Sequence, residues 1–382
     1  MRGTLALAVL LAAAAHEACG VSPGPRAATR RSVLATLPFV PAALAAQPRV
    51  SRATERTGLA LNVLITGANS GIGFAAASKL VGEGHSVTLA CRTQARADAA
   101  AAAINAEAGA ERGVARGVEC DLASLASVRR CAAELLKSGV LLDVLCLNAA
   151  VAPGTQETAP KRTVEQFEET IGVNHLGHFL LANSLLPVLK AQPGRPAPRI
   201  VVTASEVHNP EEPGGQVGSK ASLGDLSGLR TALSGGEWSM VDGGVFDPDK
   251  AYKDSKLCNM LFLSELERRL EASGSKVRVN AFSPGLITRT GLFRSQRPLF
   301  TAAFDFLANN VAKFAETVEY GGGCIDFMAM SPELEGQGGL FYSDYPPGKH
   351  TLVLRTPSAE ARDACKAAEL WALSEKLVGL GA

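Results

Sequence analysis

Leu64-Ile65-Thr66-Gly67-Ala68-Asn69-Ser70-Gly71-Ile72-Gly73 decides the fold. The apolar residues before Gly67 read as a strand, and those from Ile72 onward read as an amphipathic helix. Gly67 permits a tight turn, Gly71 lets the backbone approach a pyrophosphate, and Gly73 allows close helix–strand packing. The start of the helix, with Asn69, Ser70 and Ile72, then turns free N–H groups toward phosphate oxygens. A glycine pattern alone is weak evidence, since turn glycines also serve structure. Here the strand before it and the helix after it supply the context that the motif needs.

Outward from this turn, short apolar runs alternate with longer amphipathic stretches. Strands are expected at Leu61–Thr66, Ser86–Arg92, Val118–Asp121, Val144–Asn148, Ile200–Ser205, Val277–Ser283 and Leu340–Ser343. Helices are expected at Ile72–Gly82, Gln94–Glu107, Leu125–Lys137, Val164–Leu189, Ala251–Ala272 and Thr317–Met330. Such alternation, with strands apolar on both faces, predicts an α/β fold. The expected architecture is a single Rossmann-type, doubly wound parallel sheet with helices on both faces, spanning 58–382. One Gly/Pro/Ser/Asp-rich insertion, 206–250, interrupts it. A loop of that length inside a compact domain is expected to bind substrate or act as a lid.

The first 50 residues have a different composition and read as a targeting leader. The apolar run Leu5–Ala15 follows Arg2 and is too short to span a bilayer as a mature helix. No acidic residue occurs from Ala18 to Thr54, which suits an organelle transit peptide. Within it, Thr29-Arg30-Arg31-Ser32-Val33-Leu34 leads to Ala43-Leu44-Ala45-Ala46, a twin-arginine export pattern. The stacked signals point to a plastid and onward to its thylakoid; a single leader followed by a low-complexity spacer is the alternative. The whole chain of 382 residues carries a net charge of +1, so no nucleic-acid partner is indicated. Its eight cysteines are scattered, with no CxxC pair or Cys/His cluster, and support neither a metal site nor a disulfide framework. The run Leu299–Phe306 is a candidate for membrane contact, although buried packing is the commoner reason for such a run. Oligomerisation is left open.

The second strand ends at Arg92, where an acidic residue would favour NAD. Arg92, with Arg96 one turn on, would pair with a 2′-phosphate, so NADPH is the expected cofactor. Asp121 and Leu122, after the third strand, would border the adenine, and Asn148 and Ala149, after the fourth, the ribose. Tyr252 and Lys256 stand four apart at the start of a helix and so share a face. A neighbouring ammonium should bring a tyrosine with an ordinary pKa near 10 toward working range. Ser205 ends the fifth strand and can hydrogen-bond a carbonyl or the tyrosine oxygen; Asn174 is placed to hold a water that relays protons toward Lys256. Packed roles are the commoner ones for His175, His178 and His208.

These residues, in this order, resemble the short-chain dehydrogenase/reductase family from Leu61 to about Arg294. The resemblance implies a catalytic set of Asn174, Ser205, Tyr252 and Lys256, and a nicotinamide-side segment with Pro284, Gly285 and Ile287. Further stretches are similar to the light-dependent protochlorophyllide oxidoreductase branch: Gly244-Val245-Phe246-Asp247, Ala251–Leu261, Thr290-Gly291-Leu292-Phe293-Arg294, and Ser374–Leu380. That likeness implies a hydrophobic, pigment-like substrate whose ring double bond takes a hydride from NADPH and a proton through Tyr252. Where the branch carries Tyr-Pro-Gly-Cys, this chain has Ser283-Pro284-Gly285-Leu286, which removes a phenol and a thiol. Two other readings stay open: a plastid NADPH-dependent carbonyl or alcohol oxidoreductase, and a non-catalytic NADPH- or pigment-binding protein.

Overall fold

The computed structural model describes residues 59–109, 112–288, 290–293 and 315–380. The leader, and the run Leu299–Phe306, lie outside the described residues. The described chain forms one mixed sheet of eight strands: β1 (Asn62–Thr66), β2 (Ser86–Cys91), β3 (Val114–Glu119), β4 (Val144–Leu147), β5 (Arg199–Thr203), β6 (Arg278–Ser283), β7 (Phe341–Asp344) and β8 (Leu352–Leu354). Their spatial order is β3-β2-β1-β4-β5-β6-β7-β8. All neighbours are parallel except β7 and β8. The order reverses between β1 and β4, which opens a crevice beyond their carboxyl ends, where α/β sheets bind ligands.

Alternate side chains of β1 feed two cores. Leu64 packs with α3 (Leu125–Ser138), α4 (His178–Leu185), α6 (Pro248–Ala272) and α8 (Ala364–Leu377). Val63 and Ile65 pack on the other face with α1 (Gly71–Gly82), α2 (Gln94–Ala108) and α7 (Val318–Met330). The expected doubly wound sheet is thus present, with an antiparallel edge strand added.

Several boundaries differ from the sequence expectation for local reasons. β3 begins at Val114, ahead of the expected Val118, because Arg116 and Gly117 interrupt its apolar run while still pairing with Thr88 and Leu89. The expected helix Val164–Leu189 begins only at Glu169, where the Glu168 carboxylate accepts the N–H groups of Thr170 and Ile171 at 2.9 and 2.8 Å. It then runs through a π-helical turn, Gly172–Gly177, into α4. α6 starts at Pro248, since Asp247 caps it by accepting from Asp249 and Lys250 N–H.

The 206–250 insertion is no open lid. Leu223, Leu226, Leu229, Trp238 and Val241 from it are buried in the core shared with α6 and α8, and Ser227–Leu233 forms α5. Lys253, on α6, donates to Ser219 O at 2.7 Å, and Asp254 accepts Ser222 N–H at 3.0 Å. A chain so anchored is part of the packed domain.

α7 crosses α1 at a glycine-lined contact. A Cβ on Gly322 would stand 2.8 Å from Ala75 Cβ and 2.9 Å from Ala76 N. Gly322→Val is therefore expected to destabilise the fold by about 1–3 kcal/mol through overpacking. Gly82→Ala, facing nothing within 4 Å, should be neutral or stabilising; urea denaturation of both variants measures the contrast.

Candidate active site

The crevice is built on the hydroxyl of Thr66, the last residue of β1. That oxygen accepts the N–H groups of Asn148 (2.8 Å) and Ala149 (3.0 Å), which follow β4. His178 Nε2 lies 2.9 Å from it, and His178 Nδ1 lies 3.2 Å from the Asn174 carbonyl oxygen. A carbonyl only accepts, so Nδ1 carries the proton and Nε2 accepts from Thr66. Burial holds His178 neutral, with its pKa down at about 4. Asn148 adds Nδ2–H to Thr66 O at 2.9 Å and accepts from Thr203 Oγ1 at 3.3 Å.

The glycine turn fits against this frame. Gly67 (φ +67°) would place a Cβ 3.0 Å from Ala149, and Gly73 would place one 2.6 Å from Asn148 Nδ2. Gly71 (φ +58°) faces only Thr290, at 3.5 Å, which leaves its backbone open to a ligand. Ser70 makes no side-chain cap at the start of α1 and the first turn holds no acid, so those N–H groups remain available to an anion. Asn69 is partly exposed beside them, and Ile72 packs toward Gly321 together with Ile287. Arg92 and Arg96 are both exposed after β2, and among the described residues neither guanidinium has a protein partner. Asp121 is half-buried and turns its carboxylate onto Ala123 N–H at 3.1 Å; Leu122 is buried in the core. These residues fit a 2′-phosphorylated dinucleotide.

Tyr252 and Lys256 share one face of α6, as their spacing predicts. Lys256 is 1% exposed, donates to Thr203 O at 2.8 Å, and places Nζ 5.6 Å from the Tyr252 ring centre. The expectation that the ammonium lowers the tyrosine pKa is corrected here. Burial pushes Tyr252 up, only partly opposed by its hydrogen bond with Ser205, and burial brings Lys256 down to about 7. Desolvation acts on both groups and outweighs their mutual attraction. The phenol is consequently held protonated.

Asn174 braces the crevice through its side chain. Its side chain accepts Val151 N–H at 2.8 Å and donates to Val151 O (2.9 Å) and Ser255 Oγ (3.0 Å). Thus the amide is a bracket between the β4 loop and α6, with both of its N–H groups engaged.

After β6, Ser283 Oγ accepts Glu206 N–H at 3.1 Å, and Leu286 O accepts Glu316 N–H at 2.8 Å. Pro284 and Gly285 are partly exposed between them, and Ile287 is buried. Arg289 lies outside the described residues, whereas Thr290 sits over Gly71. Sequence reasoning missed Thr66 and the bridging role of His178. A threonine ending an apolar strand before glycine was the one available signal.

A sequence profile described as short chain dehydrogenase matches residues 61–226. Protochlorophyllide reductase B, chloroplastic, of Hordeum vulgare is 41% identical over 344 residues, covering 89% of this chain and 83% of that protein. The chain belongs to the short-chain dehydrogenase family, in its protochlorophyllide reductase branch. Protochlorophyllide reductase, chloroplastic, of Cucumis sativus is 40% identical over 87% of this short-chain dehydrogenase and 82% of its own length. Among solved structures, an uncharacterized protein from Mycobacterium paratuberculosis superposes with a TM-score of 0.61 at 31% identity, covering 88% of this chain and 98% of that one. The Pseudomonas aeruginosa RhlG/NADP active-site complex shares the fold, with a TM-score of 0.57 at 21% identity over 78% of this chain and 99% of that one.

If Thr66 carries the frame of this short-chain dehydrogenase, Thr66→Val leaves two buried N–H groups and His178 unpaired. Unfolding free energy should fall by about 3 kcal/mol or more, given roughly 1–3 kcal/mol for each of the three orphaned groups. Thr203→Val, which removes only the 3.3 Å bond to Asn148, should cost clearly less in the same denaturation experiment.

Proposed function

We propose that this short-chain dehydrogenase is an NADPH-dependent plastid reductase that acts on a ring double bond of a protochlorophyllide-type pigment. The observation that carries the reading is the Ser205–Tyr252–Lys256 cluster beside the glycine turn, in a chain 41% identical to a protochlorophyllide reductase over most of both lengths. The absence of acidic residues from Ala18 to Thr54 and the chloroplastic names of the relatives support the plastid.

The glycine turn, with Asn69, Ser70 and Ile72, would hold the pyrophosphate, and Arg92 and Arg96 the 2′-phosphate. Asp121 and Leu122 would border the adenine, Asn148 and Ala149 the ribose, and Pro284, Gly285 and Ile287 the nicotinamide. Bound NADPH would supply the hydride. Tyr252, kept protonated by burial, holds the proton that a reduction consumes, and Ser205 fixes its hydroxyl. Lys256, near neutrality in its titration, reloads the phenol from the Thr203 side. Asn174 and His178 position α6 against the β4 loop. Within this reading, contact with the thylakoid surface would fall to Leu299–Phe306.

One observation favours a second reading. Ser283 is buried within the sheet, its oxygen accepting Glu206 N–H, and Leu286 is aliphatic, so this reading puts the donor role on Ser205 and Tyr252. Those two are sufficient for reduction of a hydrophobic carbonyl.

Mature protein with NADPH and protochlorophyllide is expected to lose the pigment's absorption only on illumination. Loss in darkness, or turnover of retinal-like carbonyls with none of the pigment, would establish the second reading instead. Tyr252→Phe should slow the reaction by about 10²–10⁴-fold, the usual contribution of a positioned acid, with NADPH affinity nearly unchanged. Replacing Arg92 and Arg96 together by Ala should weaken NADPH binding by about tenfold or more while sparing NADH, as read by fluorescence titration.

A further inference from the structure

Two buried carboxylates that this chemistry does not use lie against the Pro284–Leu286 segment. Asp344, ending β7, is 1% exposed, and Glu316, just before α7, is 3% exposed. Gly285 is left-handed (φ +75°), and a Cβ placed on it would stand 2.7 Å from Asp344 Oδ2 and 3.0 Å from Glu316 Cγ. The Glu316 N–H is bonded to Leu286 O, and Ala315 forms a bridge with Leu286, so the acids and the segment move as one piece.

Among the described residues, the groups facing this pair come from α7 and from the turn between β7 and β8. On α7, Tyr320 donates its hydroxyl to Asp344 Oδ1 at 3.0 Å, and the Cys324 thiol lies nearby. On the turn between β7 and β8, His350 donates its N–H to Glu316 Oε1 at 3.4 Å, and its Nδ1 pairs with Glu316 Oε2. Thr351 contributes a main-chain bond to Asp344, and the Glu316 side chain lies within hydrogen-bonding reach of the Asp344 carboxyl. His350 is half exposed and links the otherwise closed pair to solvent.

Two carboxylates in contact in a dry site cannot both ionise cheaply; a proton or a cation must lie between them. A hard cation takes six or more oxygens, and this set, with a phenol already directed at Asp344, falls far short. We propose that Glu316 and Asp344 share one proton, and that this proton positions the Pro284–Leu286 segment at the nicotinamide end of the site. The positioning half rests on the dinucleotide reading above; the shared proton does not. Loss of the proton would set two like charges against Gly285, which has no side chain to shield them. The Leu286–Glu316 bond then carries the resulting displacement into the segment.

The sign of the pH dependence follows. Burial first, and Glu316 second, raise Asp344 above the ordinary carboxylate range. The folded chain therefore retains a proton that the unfolded chain releases, and stability falls as pH rises from that ordinary range to the raised value. Wild type, Asp344→Asn and Glu316→Gln are to be compared between about pH 6 and 9, by thermal melts without cofactor and by NADPH fluorescence titration. The wild type should lose melting temperature as pH rises, and lose NADPH affinity by up to about tenfold per pH unit, the limit for one linked proton. Asp344→Asn, an uncharged isostere, should show neither loss attributable to the pair. Parallel wild-type and Asp344→Asn profiles would overturn the proposal, as would restoration of alkaline stability by added Mg²⁺ or Ca²⁺. Failure of NADPH to bind at any pH, with the melting difference intact, would overturn the dinucleotide reading and the positioning role while leaving the shared proton.

Discussion

The hydroxyl of Thr66 is the point on which the site depends. Two main-chain N–H groups from the β4 loop converge on it, and its own proton is directed to His178. Through His178 the frame reaches the Asn174 carbonyl in the π-helical turn, and through the Asn174 amide it reaches Val151 and Ser255. The β1–β4 crevice and α6 are thereby fixed to one another by buried, charge-neutral hydrogen bonds. Such bonds are costly to break because each broken partner would be left without water. The π-helical turn serves the same end, since it carries Asn174 and leads directly into His178 at the start of α4.

Burial also decides which groups carry protons. Lys256, Tyr252, His175 and His178 are all moved toward their neutral forms by desolvation as the leading cause. In the proposed function, a site of neutral groups would bind the charged cofactor through main-chain N–H groups and rim arginines and keep its interior for an apolar substrate. For Lys256 the consequence for stability is opposite in sign to that for Asp344. The unfolded chain holds the lysine proton longer, so this contribution grows more favourable as pH rises from about 7 toward the ordinary lysine value.

Much of this was legible in the sequence. The glycine turn, the strand–helix alternation and the Tyr252–Lys256 spacing rest on local periodicity, and all are found where the chain placed them. β8 and α8 were not marked, because a three-residue edge strand carries almost no periodicity and the quoted Ser374–Leu380 stretch begins inside its helix. The insertion read as a loop because its glycines and prolines mask the spacing of Leu223, Leu226 and Leu229, which only the tertiary core of α6 and α8 explains. The tyrosine's proton affinity was misjudged for a related reason. Spacing reveals a neighbouring charge, but the desolvation that outweighs it is a property of the assembled interior.

Ser283 and Leu286 stand where the resemblance implied a phenol and a thiol, and the structure shows what they do instead. Ser283 is small enough to lie buried between β5 and β7, and its oxygen accepts Glu206 N–H. The turn carrying Ser205 is further held by Ala204 N–H on Phe282 O at 2.8 Å, and by His208 Nδ1 on Ser205 O at 2.6 Å. His208 must donate there, since the carbonyl only accepts, and its Nε2 is turned to Ser358 N–H. With fewer proton donors at the reacting end, more depends on the exact direction of the one that remains. In the proposed reaction, a residue at 283 that secures the Ser205 turn would contribute to proton transfer by holding Tyr252's partner still rather than by giving up a proton itself.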